Sequence, residues 1–267
     1  MVPGMPSIHP TALVADGARL ADDVVIGPYC VIEDGVEIGS GTSVGAHSVI
    51  YSGTRIGRDN RIHAHVILGD VPQHSAFKPG TRSHLVIGDG NSIRELVTMH
   101  RALYSEAATI IGNNGLFMSE SHVAHDCIIG NHVVLTTHSA FGGHVEVGDH
   151  AVIGGIVGIH QFCRIGAYAI IAAATLVRKD VLPFTMLGGS PARHYRLNTI
   201  GLRRNGISGE RYRAIERAFR QLRAGDECEF SGTAELDYLQ QWLAQPSKRG
   251  LSGFLHAERR GRAVDDD

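Results

Sequence analysis

An aliphatic residue returns at every sixth position from Ile8 to Leu68: Ile8, Val14, Leu20, Ile26, Ile32, Ile38, Val44, Ile50, Ile56, Ile62 and Leu68. The spacing resumes at Ile87, Ile93 and Met99, and again from Ile111 to Val177. Such a period matches neither the repeat of about 3.6 of an α-helix nor that of about 2 of a half-buried strand. It matches a short strand plus a corner, repeated as a hexapeptide β-helix. Four residues after each aliphatic lies a small or β-branched residue, as at Ala12, Val24, Cys30, Thr42, Ser48, Cys127 and Ser139, so both positions point inward. Three hexapeptides close one triangular coil, coils stack at strand spacing of ~4.8 Å, and residues eighteen apart stand above one another. Glycine follows the aliphatic at Gly27, Gly39, Gly45, Gly57, Gly130, Gly148 and Gly166. These glycines are expected to supply backbone freedom at the corners.

The pattern ends near Pro183, and the expected organisation is a β-helix over 1–190 followed by a helical domain over 191–267. Two excursions interrupt the prism, at about 69–86 and 100–110, and long excursions from a regular repeat usually line a site. Helices are expected over 208–225 and 233–245, with Ser208 and Thr233 as N-caps and Gly225 as a stop. The acidic end, Asp265 to Asp267, is expected to fray. No basic, apolar leader opens the chain and no uncharged apolar run reaches membrane-spanning length, which points to the cytoplasm and to no membrane insertion. A net charge of −2 gives the whole molecule no bias toward nucleic acid. Cys30, Cys127, Cys163 and Cys228 show no CxxC pairing, so no zinc knuckle or thioredoxin-like motif is expected, and Cys127 and Cys163 fall on inward positions.

Sixteen histidines are unusual for this length, and seven fall between His122 and His160. The stacking arithmetic sorts them. His125, Gly143 and Gln161 are eighteen apart and form one outward column, with His122 across the same corner and His144 and His160 flanking it. A neutral imidazole of pKa near ~6.5 is the natural general base at physiological pH. A glycine one coil away leaves its N–H unshielded, as an oxyanion requires. His132, His138 and His150 lie outside the column and read as polar surface.

The segments Ser121-His122-Val123-Ala124-His125-Asp126-Cys127, Gly142-Gly143-His144-Val145 and Ile159-His160-Gln161-Phe162-Cys163-Arg164-Ile165-Gly166 carry a resemblance. The chain resembles the acyl-acyl carrier protein:UDP-N-acetylglucosamine O-acyltransferases that begin lipid A synthesis, from Ile8 to about Ser208. That resemblance implies a mainly β fold, a left-handed parallel β-helix of hexapeptide repeats with a C-terminal α-helical domain, in a homotrimer with sites between subunits. It implies that His125 takes the proton of the sugar 3-hydroxyl, Asp126 orients the imidazole, and Gly143 N–H holds the oxyanion. Gln73, His122, His144, His160 and Gln161 would contact sugar or acyl chain, and Asn198 and Arg204 the nucleotide. It implies no cofactor and no metal: the donor rides on the phosphopantetheine of acyl carrier protein. The small residues Ser119, Thr137, Gly155 and Ala173 stack into an expected acyl groove. In the family, bulk at the position matched by Ala173 limits chain length, which implies a long 3-hydroxyacyl donor. His74, Ala76, Pro191 and Ile200 depart from the family pattern, so a paralogue acting on another nucleotide sugar, hydroxyl or amine is the alternative. A zinc hydratase using His122, His125 and His144 is a further reading, and a catalytically dead scaffold fits an intact column poorly. Arginines from Arg193 to Arg223, among them Arg203, Arg204, Arg213, Arg217 and Arg220, form a patch that could steer an acidic carrier.

Overall fold

The computed structural model describes residues 5–226 and 229–255. Within them the repeat folds as a three-sided parallel β-helix. Each hexapeptide gives a strand of about two residues followed by a two-residue turn, and the strands stack into sheets of eleven, nine and eight strands. The register follows the arithmetic of eighteen: Ile8 lies under Ile26, Val123 under Phe141, and Phe141 under Ile159. Where the excursions interrupt, the offset grows and the ladder still closes, with Ile62 on Ile93 and Met99 on Val123.

The interior is filled by the two expected positions. Ile26, Ile32, Ile50 and Phe117 are buried, and so are Val24, Cys30, Thr42, Ser48 and Ser139 four residues on. The hydroxyls among them donate to carbonyls of the coil above: Thr42 Oγ1 to Gly57, Ser48 Oγ to His63 and Ser139 Oγ to Gly154, at 2.6–3.0 Å. Burying a hydroxyl without such a bond would cost about 1–3 kcal/mol. Cys127 and Cys163 are fully buried, and burial pushes both thiols up to about 12, so neither is a nucleophile at neutral pH. Cys228 and the acidic end lie outside the described residues.

The glycines after the aliphatic residues are needed for a different reason from the one expected. None of them has a positive φ. They lack a side chain because the next coil leaves no room: a Cβ at Gly39 would lie 2.7 Å from Gly57 O, and one at Gly45 2.6 Å from the His63 carbonyl carbon. The left-handed backbone falls two residues later, and there six histidines occupy it: His47, His65, His132, His138, His144 and His150. Histidine tolerates that region better than most residues. Its ring also stacks on the residue eighteen away: His132 on His150 at 4.7 Å and His150 on Tyr168 at 4.8 Å, ring centre to ring centre. Much of the histidine excess is therefore corner geometry.

The eleven-stranded sheet continues past the expected boundary at residue 190. Thr185–Gly188 extends the ladder, and Arg193–Leu197 returns antiparallel beside it. Helices follow: α1 (Thr199–Arg204), α2 (Gly209–Ala224) and α3 (Ala234–Ala244). Gly225 closes α2 in the left-handed conformation at φ 83°, and Thr233 Oγ1 caps α3 by accepting from Leu236 N–H. Ser208 stands at the N-cap of α2 without a side-chain cap bond. A second core of Leu182, Phe184, Leu202, Ile215, Leu239 and Trp242 joins these helices to the end of the prism. Buried Arg164, on the eight-stranded face, pins α3: its guanidinium donates to the carbonyls of Trp242, Gln245 and Pro246 and lies 4.3 Å from the Trp242 ring. A cation there meets the negative end of the helix dipole.

Candidate active site

His125 and Asp126 form the turn between the nine- and eight-stranded faces, flanked by strands His122–Val123 and Ile128–Ile129. His125 Nδ1 donates to Asp126 Oδ2 at 2.7 Å, and both side chains are largely buried. A carboxylate only accepts, so the ring carries its proton on Nδ1 and Nε2 is left bare as a base. Asp126 is held from three sides. Its N–H donates to Thr109 Oγ1 at 2.8 Å, Leu103 N–H donates to its Oδ2 at 3.0 Å, and His144 Nε2 lies 3.8 Å from the same oxygen. Burial pushes the Asp126 carboxyl up, but the hydrogen bonds from His125 and Leu103 and the nearby imidazoles outweigh it and leave it below the usual range. Leu103 belongs to the second excursion.

Gly143 stands one coil above His125. A Cβ there would lie 2.7 Å from His125 Nε2, so only glycine leaves room for the imidazole. Among the described residues the Gly143 N–H has no hydrogen-bond partner, whereas Gly142 N–H reaches Ile159 O and His144 N–H reaches His125 O. A free backbone donor beside a bare imidazole nitrogen is the arrangement that acyl transfer needs.

A cavity of about 480 Å³ opens over this pair on the nine-stranded face, lined by Gln73, His74, His122, His125, Gly143, His160 and Gln161. Its floor continues over Ala140, Phe141, Gly158 and Ile159 to Leu176. Gln73, His122, His160 and Gln161 are thus gathered with His125 as expected. His122 Nδ1 pairs with Thr98 Oγ1 at 2.7 Å, and burial, together with the charges of His100 and His125, lowers its pKa to about 4, so it is neutral in the working range. His100, which no spacing singled out, is buried edge-on against His122 and also lines the cavity.

Other expected residues fall elsewhere. His144 stacks on Phe162 at 4.6 Å, edge-on to His125, and lies behind Asp126 rather than in the cavity lining. Gly155 and Ala173 sit at the corner between the eleven- and nine-stranded faces and do not line the cavity. The apolar floor runs over Ala140, Gly158 and Leu176, the outward strand positions of the nine-stranded face. Asn198 and Arg204 line a separate cavity of about 510 Å³ on the eleven-stranded face, with His132, His150, Met186 and Ile200. The Asn198 side chain is spent on structure: Oδ1 accepts from Gly201 N–H as the cap of α1, and Nδ2 donates to Tyr168 O. His132 and His150, read from the sequence as surface filler, line that second cavity. The arginine patch is partly neutralised, since Arg213 and Arg217 pair with Glu210, Arg220 with Glu216 and Arg211 with Glu235.

Among the described residues, the potential metal-donor atoms that come within 4.8 Å of one another are those of His125, Asp126 and His144, not the three histidines of a hydratase. His122 is instead committed to Thr98. No helix among the described residues is long and apolar enough to cross a membrane.

Comparison with known proteins bears on the family and the fold. The family model described as UDP-N-acetylglucosamine O-acyltransferase, domain 2, matches residues 180–263, and the bacterial transferase hexapeptide model matches 17–52 and 35–70. A Halorhodospira halophila protein named acyl-[acyl-carrier-protein]–UDP-N-acetylglucosamine O-acyltransferase is 44% identical over 259 residues, covering 96% of this chain and 99% of that protein. The protein of the same name from Stenotrophomonas maltophilia is 47% identical over 83% of this chain and 85% of its own length. The solved Francisella novicida UDP-N-acetylglucosamine acyltransferase superposes with a TM-score of 0.85 at 34% identity, over 92% of this chain and 94% of its own. The match runs along the whole prism, whose hand is therefore left. The chain belongs to the acyl-acyl carrier protein–UDP-N-acetylglucosamine O-acyltransferase family.

Proposed function

We propose that this chain transfers a 3-hydroxyacyl group from acyl carrier protein to the 3-hydroxyl of UDP-N-acetylglucosamine, the first step of lipid A synthesis, with His125 as general base. The single observation that carries the chemistry is the bare His125 Nε2 set against the unpaired Gly143 N–H, with Asp126 behind the ring. The sugar oxygen attacks the thioester carbonyl carbon as its proton passes to His125 Nε2. The oxyanion takes the Gly143 N–H. The C–S bond then breaks, and the thiolate leaves with the proton from His125. No cofactor enters these steps; the phosphopantetheine arm of the carrier delivers the acyl group.

The working unit is a homotrimer in the cytoplasm. The catalytic cavity and the Arg204 cavity lie on different faces of one prism. An acceptor with a reacting sugar and a charged pyrophosphate can use both only if a second chain brings its Arg204 face to the His125 corner. Acyl transfer by the purified protein from 3-hydroxyacyl carrier protein to UDP-N-acetylglucosamine, read by mass spectrometry, tests the reaction. A 3-O-acylated product is expected. No product from a trimer that still binds the donor would overturn it, and stoichiometric zinc would favour the hydratase.

A further inference from the structure

Behind the catalytic dyad the corner residues form a layered stack. His144 lies edge-on to His125 with ring centroids 5.3 Å apart, and its Nε2 is 3.8 Å from Asp126 Oδ2. Phe162, one coil above, lies flat on His144 at 4.6 Å. Lys248 closes the stack, with Nζ 4.3 Å from the centroid of the Phe162 ring. An ammonium over an aromatic face is attracted by the ring quadrupole. The lysine is exposed, yet its backbone is anchored on both sides. Before it, the carbonyls of Gln245 and Pro246 accept from buried Arg164. After it, Arg249 Nε donates to Arg178 O, Asp180 N–H to Gly250 O, and Ser252 N–H to Asp180 O. Ser247 Oγ accepts from the N–H groups of Arg249 and Gly250 and fixes the turn between the two anchors. The segment after α3 is thereby laid across the top of the catalytic corner, with the Lys248 ammonium over Phe162.

The protonation state of His144 matters because Asp126 Oδ2 is the oxygen that accepts from His125 Nδ1. A neutral His144 leaves that carboxylate to His125. An imidazolium there would draw on the same oxygen and offset its charge, and His125 would lose the partner that makes Nε2 a base. Burial lowers the His144 pKa, Asp126 raises it, and His125, Lys248 and His74 of the first excursion lower it further. Tyr104 of the second excursion, with its ring centroid 6.3 Å away, adds a phenol. We infer that Lys248 is a positioning residue for acyl transfer, which holds Phe162 and His144 in their stack and keeps Asp126 committed to His125. This rests on the acyl-transfer reading above. Lys248 does not line the catalytic cavity and acts through Phe162 and His144. Without the cation His144 takes up its proton at higher pH, so the acid limb of the pH profile moves up. A unit charge acting over ~9 Å near a protein surface shifts such a group by about half a pH unit.

The test is the pH dependence of kcat/KM for acyl transfer to UDP-N-acetylglucosamine, from about pH 5.5 to about pH 8.5, in wild type, Lys248→Met and Lys248→Arg as purified full-length enzyme. Lys248→Met keeps an apolar stem and loses the charge. Its acid limb is expected to move up by about half a pH unit, a loss of about threefold near pH 6, with activity near pH 8 retained. Lys248→Arg keeps a cation that stacks on an aromatic ring and is expected to keep the wild-type profile. In a His144→Gln background the shift caused by Lys248→Met is expected to vanish. An unmoved acid limb in Lys248→Met, or the same shift with His144→Gln in place, would overturn the inference while leaving acyl transfer intact. A loss equal at every pH would assign Lys248 to packing of its own segment and also overturn it. Absence of acylation by wild type would instead strike the reading on which the inference rests.

Discussion

His125 owes its tautomer to Asp126, and Asp126 owes its charge and position to Thr109, Leu103 and His144. Removing the base is expected to cost more than removing its orienting partner. Asp126→Asn would still fill the turn, but it would present an amide to Nδ1 and lose the charge, so a fall in kcat of about a hundredfold is expected with the fold intact. Steady-state kinetics beside a circular-dichroism spectrum checks this. Gly143→Ala probes the other half of the site. The added methyl would meet the His125 ring and shield the N–H, so kcat is expected to fall about a hundredfold or more while stability changes little. Near-wild-type turnover in Gly143→Ala would remove the glycine from the mechanism. At this scale the sequence read well where stacking alone decides position: the column of His125, Gly143 and Gln161 and the inward Cys127 and Cys163 stand as the period of eighteen requires. Side-chain direction is a separate matter. His144 occupies a left-handed corner residue and stacks on Phe162, so its ring points along the corner toward Asp126 rather than into the cavity. No spacing carries that information.

Among the elements, the strands and the two longer helices were legible from periodicity and capping residues. The return strand Arg193–Leu197 and the short helix α1 were not: the strand is fixed by pairing with Thr185–Gly188, and α1 by its cap Asn198, whose Nδ2 donates to Tyr168 O. The acyl groove expected at Gly155 and Ala173 lies at a corner of the prism away from the catalytic cavity. The small residues Gly155 and Ala173 repeat correctly, but only the assembled faces show that the cavity floor runs over Ala140, Gly158 and Leu176. Arg164 sets how α3 sits on the prism. Asp180 is buried beside it, accepting from the Arg164 N–H at 2.9 Å, with its other oxygen 3.9 Å from Nε. Arg164→Met would leave that carboxylate buried without its cation and the carbonyls of Trp242, Gln245 and Pro246 without a donor. A loss of about 3 kcal/mol is expected, seen as a lowered Tm. An unchanged Tm would show that α3 is held by its apolar face alone.

For the whole molecule, the two deeply lowered histidines give stability a pH dependence of known sign. His122 and His194 both sit near 4 in the folded chain, chiefly through burial, against an ordinary 6.5. Below 6.5 the unfolded chain takes up protons at these positions, and the folded chain does not until about pH 4, so stability is full above neutrality and falls as pH drops through that window. For His194, almost wholly buried with Nε2 accepting from Leu182 N–H, the full effect is about 3 kcal/mol, less whatever relaxation the fold allows. Thermal unfolding at pH 7.5 and pH 5 should show the fall, and His194→Gln should flatten part of it. Arg204, on the opposite face from His125, is expected to act on the acceptor of a neighbouring subunit. Arg204→Ala should raise the acceptor KM with little change in kcat, and an unchanged KM would separate that cavity from the reaction.

The most direct measurement is the turnover of purified His125→Ala beside wild type, with 3-hydroxyacyl carrier protein as donor and UDP-N-acetylglucosamine as acceptor. A loss of about a hundredfold or more, with assembly and thermal stability retained, is the expected result. Wild-type turnover by folded His125→Ala would contradict general-base catalysis at this corner.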